Sequence, residues 1–166
     1  MILDKLALFD DKTLLTTWIV GANLSAFSYD TGLPDTPRAI GPGGGIGGPL
    51  LHDIGRGRPI WLLVQIGTAA TSGGASTLIA RFVSADNGPL TTNLTPILQT
   101  PDTVIPLATI AVAGYRFPFK TVPGKVTRQF VGMQYAVGGF VYTGGTITAG
   151  LVLGTDDHAD ILGVAP

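Results

Sequence analysis

The sequence predicts an all-β domain of short antiparallel strands, on the basis of two observations. First, 24 glycines and 12 prolines make up more than a fifth of the 166 residues, and both residue types interrupt helices and are typical of turns between strands. Second, apolar side chains recur with the two-residue period of a strand in several short segments. We therefore expect eight strands, at residues 3–9, 14–20, 60–67, 76–84, 104–111, 115–120, 128–137 and 146–153.

The segments 76–84 and 128–137 show this alternation most clearly. In the first, Leu78, Ala80 and Phe82 share one face. The opposite face also carries apolar residues, so we expect this strand to be covered on both sides. In the second, the odd-numbered positions form the more apolar face, which predicts a half-buried strand with that face inward.

The length of the chain predicts a single domain over residues 1–166, because one core of ordinary size needs about this many residues. Between residues 28 and 58 the strand pattern gives way to aspartate, proline and glycine. A loop of about 30 residues in a compact domain is usually functional or disordered. We expect an extended loop or arm here that orders against a neighbour, and a short polar tail at 154–166.

The composition indicates a protein whose surface is partly covered by a partner. Only 13% of the residues are charged, against roughly 25% in typical globular domains. We do not expect that partner to be a membrane, because the longest apolar run is residues 60–64 and a spanning helix needs about 20 apolar residues. The start of the chain lacks the pattern of a secretory signal.

Charge and cysteine content exclude two further classes. The net charge of −1 offers no positive field to attract nucleic acid. The chain contains no cysteine, so it has neither disulfides nor thiolate ligands, which is consistent with assembly in a reducing cytoplasm.

No motif predicts a cofactor site. The run from Gly43 to Gly48 formally matches the glycine spacing of dinucleotide-binding loops, but that motif needs a strand before it and a helix after it. Pro42 and Pro49 flank the run, and no acidic residue follows about 20 positions later to hold a ribose. We therefore interpret it as a flexible loop and expect no cofactor.

No motif predicts catalysis. The two histidines, His52 and His158, are not accompanied by a nucleophile-elbow pattern, so we expect no catalytic residues. The acidic cluster from Asp156 to Asp160 holds ligand types suited to a divalent cation, but it lacks the glycine and the closing glutamate of a calcium loop. A solvated acidic tail is the favoured interpretation, and cation binding stays an alternative.

Five residues are the candidates for contact with another molecule or for the core. Trp18 and Trp61 each stand in an apolar run, where the alternatives are core packing and an interface anchor. Arg38, Arg56 and Arg58 lie in or beside the long loop. Their guanidinium groups are able to form bidentate pairs with carboxylates of a partner, and the alternative is solvated loop charge. We take Trp18 and the three arginines as the interface candidates.

Several stretches together resemble the capsid cement, or decoration, proteins of tailed bacteriophages, the family typified by the cement protein of a Bordetella phage. The longest are Ile54-Gly-Arg-Gly-Arg-Pro-Ile-Trp-Leu-Leu-Val-Gln65 and Arg128-Gln-Phe-Val-Gly-Met-Gln-Tyr135. The stretches occur in the order of the family and span almost the whole chain. The remaining ones are residues 1–5, 9–10, 14–17, 71–78, 84–86, 105–107, 114–117 and 146–152.

The resemblance implies a β-sandwich or jelly-roll-like domain that forms a homo-oligomer, a dimer or a trimer, on the outer surface of the head. There it would hold neighbouring subunits of the major capsid protein together after assembly in the bacterial cytoplasm. In that setting the segment from Gly32 to Arg58 and the N-terminal residues would reach onto neighbouring subunits, with Arg38, Arg56 and Arg58 available to pair with capsid carboxylates. An alternative from another class is a carbohydrate-binding or adhesin-type β-sandwich of a phage tail fibre, which predicts exposed aromatic side chains on a concave face. An enzyme is the third class, and we do not expect it.

Overall fold

The structure, a computed structural model, describes residues 8–30, 61–99, 104–119 and 128–152. Strands dominate these ranges, and the two helical elements are a 3-10 turn at Leu15–Thr17 and one α-helical turn, α1, at Leu107–Ile110. No helix in the described ranges is long and apolar enough to cross a membrane. The strands are β1 (Leu8–Leu14), β2 (Gly21–Leu24), β3 (Tyr29–Asp30), β4 (Trp61–Ser72), β5 (Ser76–Ala85), β6 (Thr95–Gln99), β7 (Ile105–Pro106), β8 (Phe130–Gly139) and β9 (Tyr142–Val152).

The strands form two antiparallel sheets. The first sheet has the order β1-β9-β4, and the chain around Arg116 extends it along the free edge of β4. There the Ile66 and Phe117 amides donate to the carbonyl oxygens of Tyr115 and Val64, each at 2.9 Å. The second sheet has the order β2-β8-β5-β6, with β3 beside β2 on β8 and β7 beside β6 on β5. The all-β sandwich expected from the sequence is therefore confirmed.

Four connections within the described residues carry the chain from one sheet to the other, and all four leave strands that run toward the same end of the sandwich. They join β1 to β2, β4 to β5, β8 to β9, and β7 to the segment around Arg116. This alternation between two four-stranded layers is the strand order of a jelly roll. We call the end where β1, β4 and β8 finish and β2, β5 and β9 begin the crossing end, and the opposite end the far end.

The core lies between the sheets and is made by alternate residues of the strands. On β8 the inward residues Val131, Met133, Tyr135 and Val137 are each at most 3% exposed, as the alternation predicts. On β5 the face that carries Leu78, Ala80 and Phe82 is also buried. The other face is half-buried along most of the strand and buried at its end toward Ala85, so the prediction that both sides are covered is confirmed at that end. There a second apolar cluster, Val83, Ala85 and Leu90, lies apart from the main core.

Two predicted strands are wrong. Residues 14–20 form the end of β1, the 3-10 turn and an extended stretch, because this segment has to pass from one sheet to the other. Residues 104–111 form the two-residue strand β7 followed by α1. Pro106 precedes this helix as its N-cap residue and has an extended backbone. Because proline has no amide hydrogen to donate, it is better suited to the start of a helix than to the middle of a hydrogen-bonded strand.

Residues 3–7 of the predicted strand 3–9 lie outside the described residues, and β1 continues to Leu14. The other strand predictions differ mainly in their limits. The segment 115–120 makes one β-bridge, between Gln65 and Arg116, rather than a full strand. The short strands β2, β3 and β6 were not predicted, because each is too short to show a period. The expected loop at 28–58 and the tail at 154–166 lie almost wholly outside the described residues.

Candidate interaction surface

The crossing end exposes six large apolar side chains. Leu14 ends β1, and Ile19 and Val20 lie in the connection to β2; their exposed fractions are 54%, 65% and 50%. Val112, 58% exposed, lies in the connection from α1 to the segment around Arg116. Phe140 and Val141 form the connection between β8 and β9 and are 57% and 49% exposed. Single exposed apolar residues are common on protein surfaces, and several at one end of a domain make that end a candidate for contact with another molecule.

Serine side chains set the conformation of the connection that carries Phe140 and Val141. Ser76 Oγ lies 2.6 Å from the Phe140 carbonyl oxygen, and Ser72 Oγ donates to the Val141 carbonyl oxygen at 2.9 Å. The two serine oxygens are themselves 2.6 Å apart. Both carbonyl groups therefore have hydrogen-bond partners at the adjoining ends of β4 and β5, which hold the backbone of this connection in place.

Glycine is required where these two connections meet. Gly139 has a φ of +79°, in the left-handed region that side chains disfavour. A β-carbon at this position would overlap the Ala75 carbonyl oxygen. Gly74 gives similar room on the other connection, because a β-carbon there would lie 2.6 Å from the Phe140 ring. The close approach of the two connections therefore depends on Gly139, where the clash is with backbone, whereas at Gly74 the clash is with an exposed side chain that is able to move.

The connection between β1 and β2 is anchored by buried residues on either side of its exposed ones. Leu15 is fully buried, and Trp18, 5% exposed, stacks on the Tyr135 ring with 4.4 Å between ring centroids. The Asn23 side chain accepts from the Ile19 amide at 3.0 Å and donates to the Ile19 carbonyl oxygen at 2.8 Å. The backbone of Ile19 is thus held in place while its side chain is 65% exposed.

The crossing end carries no charged residue in the described part of the chain. Residues 13–29, 66–80, 104–115 and 135–152, which include all the described residues of this end, contain no aspartate, glutamate, lysine or arginine. Charged side chains elsewhere in the described ranges are Asp10, Asp11, Lys12, Asp30, Arg81, Asp86, Arg116 and Arg128. A partner at the crossing end therefore meets an apolar, uncharged surface.

The far end is polar and charged. Arg128 forms an ion pair with Asp86, and the Asn93 side chain donates to the second Asp86 oxygen at 2.6 Å. These contacts, first the Asn93 hydrogen bond and then Arg128, lower the pKa of Asp86. Gln129 donates to Asp30 at 3.1 Å nearby.

One buried carboxylate links the two sheets inside the core. Asp10 is fully buried and accepts hydrogen bonds from the Tyr135 hydroxyl at 2.6 Å, the Thr13 hydroxyl at 2.9 Å and the Ala26 amide at 3.0 Å. Burial raises the pKa of Asp10, and the three hydrogen bonds oppose this shift. Burial and the adjacent carboxylate raise the pKa of the Tyr135 hydroxyl. Because no surface of Asp10 is accessible, we assign it a structural role.

The interface candidates predicted from the sequence fall in different places. Trp18 lies in the core, as the packing alternative expects, whereas Trp61 at the start of β4 is half-buried. Arg38, Arg56 and Arg58 lie outside the described residues, so the structure places none of them beside Trp18. Their assignment stays a prediction.

The other sequence features weighed for chemistry also lie outside the described residues: His52, His158, the glycine run 43–48 and the acidic cluster 156–160. Within the part of the chain that the structure describes, no three histidine, cysteine, aspartate or glutamate side chains come together as a metal site would require. The hydroxyls of Ser84 and Tyr142 are buried with no hydrogen-bond partner among the described residues, and burial raises the pKa of Tyr142 to about 12.

Sequence reasoning missed the exposed residues of the crossing end. Ile19 and Val20 lie in the predicted strand 14–20, and Phe140 and Val141 lie between the predicted strands 128–137 and 146–153. The available signal was the position of these apolar pairs beside glycine, at Gly21 and Gly139. Turns usually lie on the protein surface, so large apolar residues within a turn are candidates for contact with another molecule.

Comparison with known proteins gives no match: neither a protein-family model nor a curated protein matches this chain.

Proposed function

We propose that this protein is a capsid cement protein of a tailed bacteriophage. It binds the outer surface of the assembled head and stabilises contacts between major capsid subunits. The observation that carries the proposal is the resemblance of its sequence to that family, in segments that keep the family's order from residues 1–5 to residues 146–152.

Two features of the structure support the proposal. The chain folds as a two-sheet antiparallel sandwich with the strand order of a jelly roll, which is the architecture the resemblance implies. Among the described residues it also presents exposed surface at both ends, charged and polar at the far end and apolar at the crossing end, that is available for contact. A protein that binds a closed shell but not free subunits stabilises the shell by mass action, and that role needs contact area rather than catalysis.

The proposed contact with the shell involves the segment from Gly32 to Arg58 and the N-terminal residues. Arg38, Arg56 and Arg58 are expected to pair with carboxylates of the major capsid protein, because a guanidinium group forms two parallel hydrogen bonds to a carboxylate. The strands that flank the segment, β3 and β4, border it at the far end through Asp30 and Trp61. The far end is therefore the side proposed to face the shell.

The tail-fibre alternative predicts a row of exposed aromatic rings on one sheet. Of the aromatic side chains in the described ranges, Phe27 and Phe140 are exposed, at 60% and 57%. Both lie on connections between strands and not on a sheet face. This distribution favours the cement protein over a sugar-stacking module, and a glycan array that detects binding would reverse the preference.

Co-sedimentation with purified heads tests the proposed function. The heads come from the phage whose genome encodes the chain and lack this protein. We expect saturable binding to assembled heads and none to free capsid subunits. A double variant, Arg56→Ala with Arg58→Ala, should bind the heads at least several-fold more weakly than the parent does. Arg116→Ala, which removes an exposed arginine of the sandwich, is the matched control and should bind as the parent does. Protein that stays in the supernatant with saturating heads would refute the proposal.

A further inference from the structure

We propose that Arg81 is an anchor for a carboxylate side chain of another polypeptide, on the outer face of the second sheet. This outer face carries the residues of β5 and β8 that are turned away from the core. Arg81 stands in the middle of β5, one of the two inner strands of the sheet. The anchor is argued from the described residues alone. That the polypeptide is a subunit of the head rests on the proposed function.

Two glutamine side chains hold the guanidinium group of Arg81. Its Nε–H donates to Gln99 Oε1 at 2.8 Å, and its Nη1 donates to Gln134 Oε1 at 3.2 Å. Gln134 and Gln99 lie opposite Arg81 on the neighbouring strands, β8 and β6. A guanidinium group has five N–H donors, so three, all on the terminal nitrogens, are not used by these two bonds. A held guanidinium group is suited to bind a carboxylate through two parallel hydrogen bonds.

The charge of Arg81 has no carboxylate partner in the part of the chain that the structure describes. Arg81 is half-buried, and both of its partners are neutral amides. Arg128 shows the contrast, because it forms an ion pair with Asp86. A charge that is partly removed from water without a counter-charge is costly. An anionic group of a partner would supply the missing counter-charge.

The surroundings of Arg81 favour a side-chain carboxylate over a phosphate group. Toward the far end, Leu90 lies over Gly132 on the outer face. Toward the crossing end, Ile79 and Ala136 are paired and half-buried. The face therefore offers one positive charge between two apolar areas. A phosphate group carries about −1.5 to −2 charges at pH 7, which one cation does not balance. A single carboxylate among apolar side chains matches both the charge and the apolar areas.

NMR titration of the full chain with two short peptides tests the anchor. The first is a capped Leu-Glu-Leu peptide, and the second is its Leu-Gln-Leu counterpart, which has a similar shape without the charge. We expect the Nε–H signal of Arg81 to shift saturably with the glutamate peptide, with a dissociation constant on the order of millimolar. The glutamine peptide should bind at least about fivefold more weakly. Arg128 already has a carboxylate partner, so its signal is the internal control and should not shift.

Two conservative variants separate geometry from charge. Arg81→Lys keeps the positive charge but loses the planar group that forms two parallel hydrogen bonds, so it should bind the glutamate peptide several-fold more weakly. Arg116→Lys is the matched control, because Arg116 is an exposed arginine beside the first sheet, and it should bind as the parent does. The backbone amide signals of β5 report binding in the variants, and circular dichroism shows whether each variant is folded.

The titration of the parent decides the matter even where a variant is unfolded. A saturable, charge-dependent shift at Arg81 supports the anchor. A shift that does not saturate, equal binding of the two peptides, or tighter binding of inorganic phosphate overturns it, as does unchanged binding by folded Arg81→Lys. Head binding is measured separately. A chain that sediments with heads but ignores the glutamate peptide refutes the anchor alone, whereas a chain that binds the peptide but ignores heads refutes the proposed function alone.

Discussion

The two ends of the sandwich are built from the same strands but differ in how they satisfy their polar groups. At the crossing end, serine and asparagine side chains bind backbone atoms of the connections, as Ser76 does with Phe140 and Asn23 with Ile19. At the far end, polar side chains bind one another, as Asp86 does with Asn93 and Arg128. The first arrangement leaves apolar side chains on the surface, and the second leaves charged ones there.

The comparison shows that the conformation of a connection and the chemistry of its exposed surface are set by different side chains. Where side chains of neighbouring strands hold the backbone of a connection in place, the conformation of that connection does not require particular exposed side chains. The exposed side chains are then available for contact with another molecule. A network of charged side chains contributes little to stability where water screens it. We therefore expect substitutions that disturb the internal supports of the sandwich to cost more than substitutions in the far-end network.

The largest effect is expected at Gly139. Gly139→Ala should lower the free energy of unfolding by about 4 kcal/mol or more, because the new β-carbon overlaps the Ala75 carbonyl oxygen and the φ is disfavoured. Gly21→Ala is the matched control, since Gly21 also has a positive φ, +111°, but open space around it. It should cost only about 1–2 kcal/mol. Equal losses for the two variants in urea denaturation would show that the two connections do not meet as described.

The second effect is expected at the buried carboxylate. Asp10→Ala should cost about 2–3 kcal/mol at neutral pH, because the Tyr135 hydroxyl and the Ala26 amide lose their acceptor inside the core. Asp11→Ala changes an exposed neighbour and should be close to neutral, within about 0.5 kcal/mol. Guanidinium denaturation measures both, and a cost for Asp11→Ala as large as that for Asp10→Ala would contradict the structural role of Asp10.

Asp10 also gives a pH dependence of known sign. Its pKa in the folded protein is raised above the ordinary 3.8, so between these two pKa values the folded state holds a proton that the unfolded state has lost. Its contribution to stability is therefore complete below pH 3.8 and is lost as the pH rises through the folded pKa. Asp10→Asn should abolish this component of the pH profile, and an unchanged profile would show that another group causes it.

The smallest effect is expected in the far-end network. Asn93→Ala should raise the pKa of Asp86 toward 3.8, because the Asn93 hydrogen bond is the main cause of its lowering. The sign is opposite to that of Asp10, since the stabilisation from Asp86 is present at neutral pH and is lost as the pH falls through its lowered pKa. NMR titration of the Asp86 carboxyl carbon measures this shift. Asn23→Ala, at the crossing end, is the control and should leave the Asp86 pKa unchanged.

The parts of the fold that sequence reasoning predicted are those with enough residues to show a period. The segments 76–84, 128–137 and 146–153 correspond to β5, β8 and β9 within a few residues, because each strand lies between two neighbours and alternates burial along its length. The segments 14–20 and 104–111 were apolar enough to resemble strands. Their backbones instead pass between sheets, a requirement set by the topology and not by local composition.

The sequence by itself determined that this chain forms short antiparallel strands, lacks a recognisable catalytic motif and has few charges, because these properties follow from residue types and their spacing. Only the tertiary structure decided which apolar residues are covered. Trp18 and Phe140 look alike as aromatic residues beside turns, yet the first stacks on Tyr135 in the core and the second is exposed. The reason is that burial depends on where four connections meet in space, and pairing between strands that are distant in the chain sets that position.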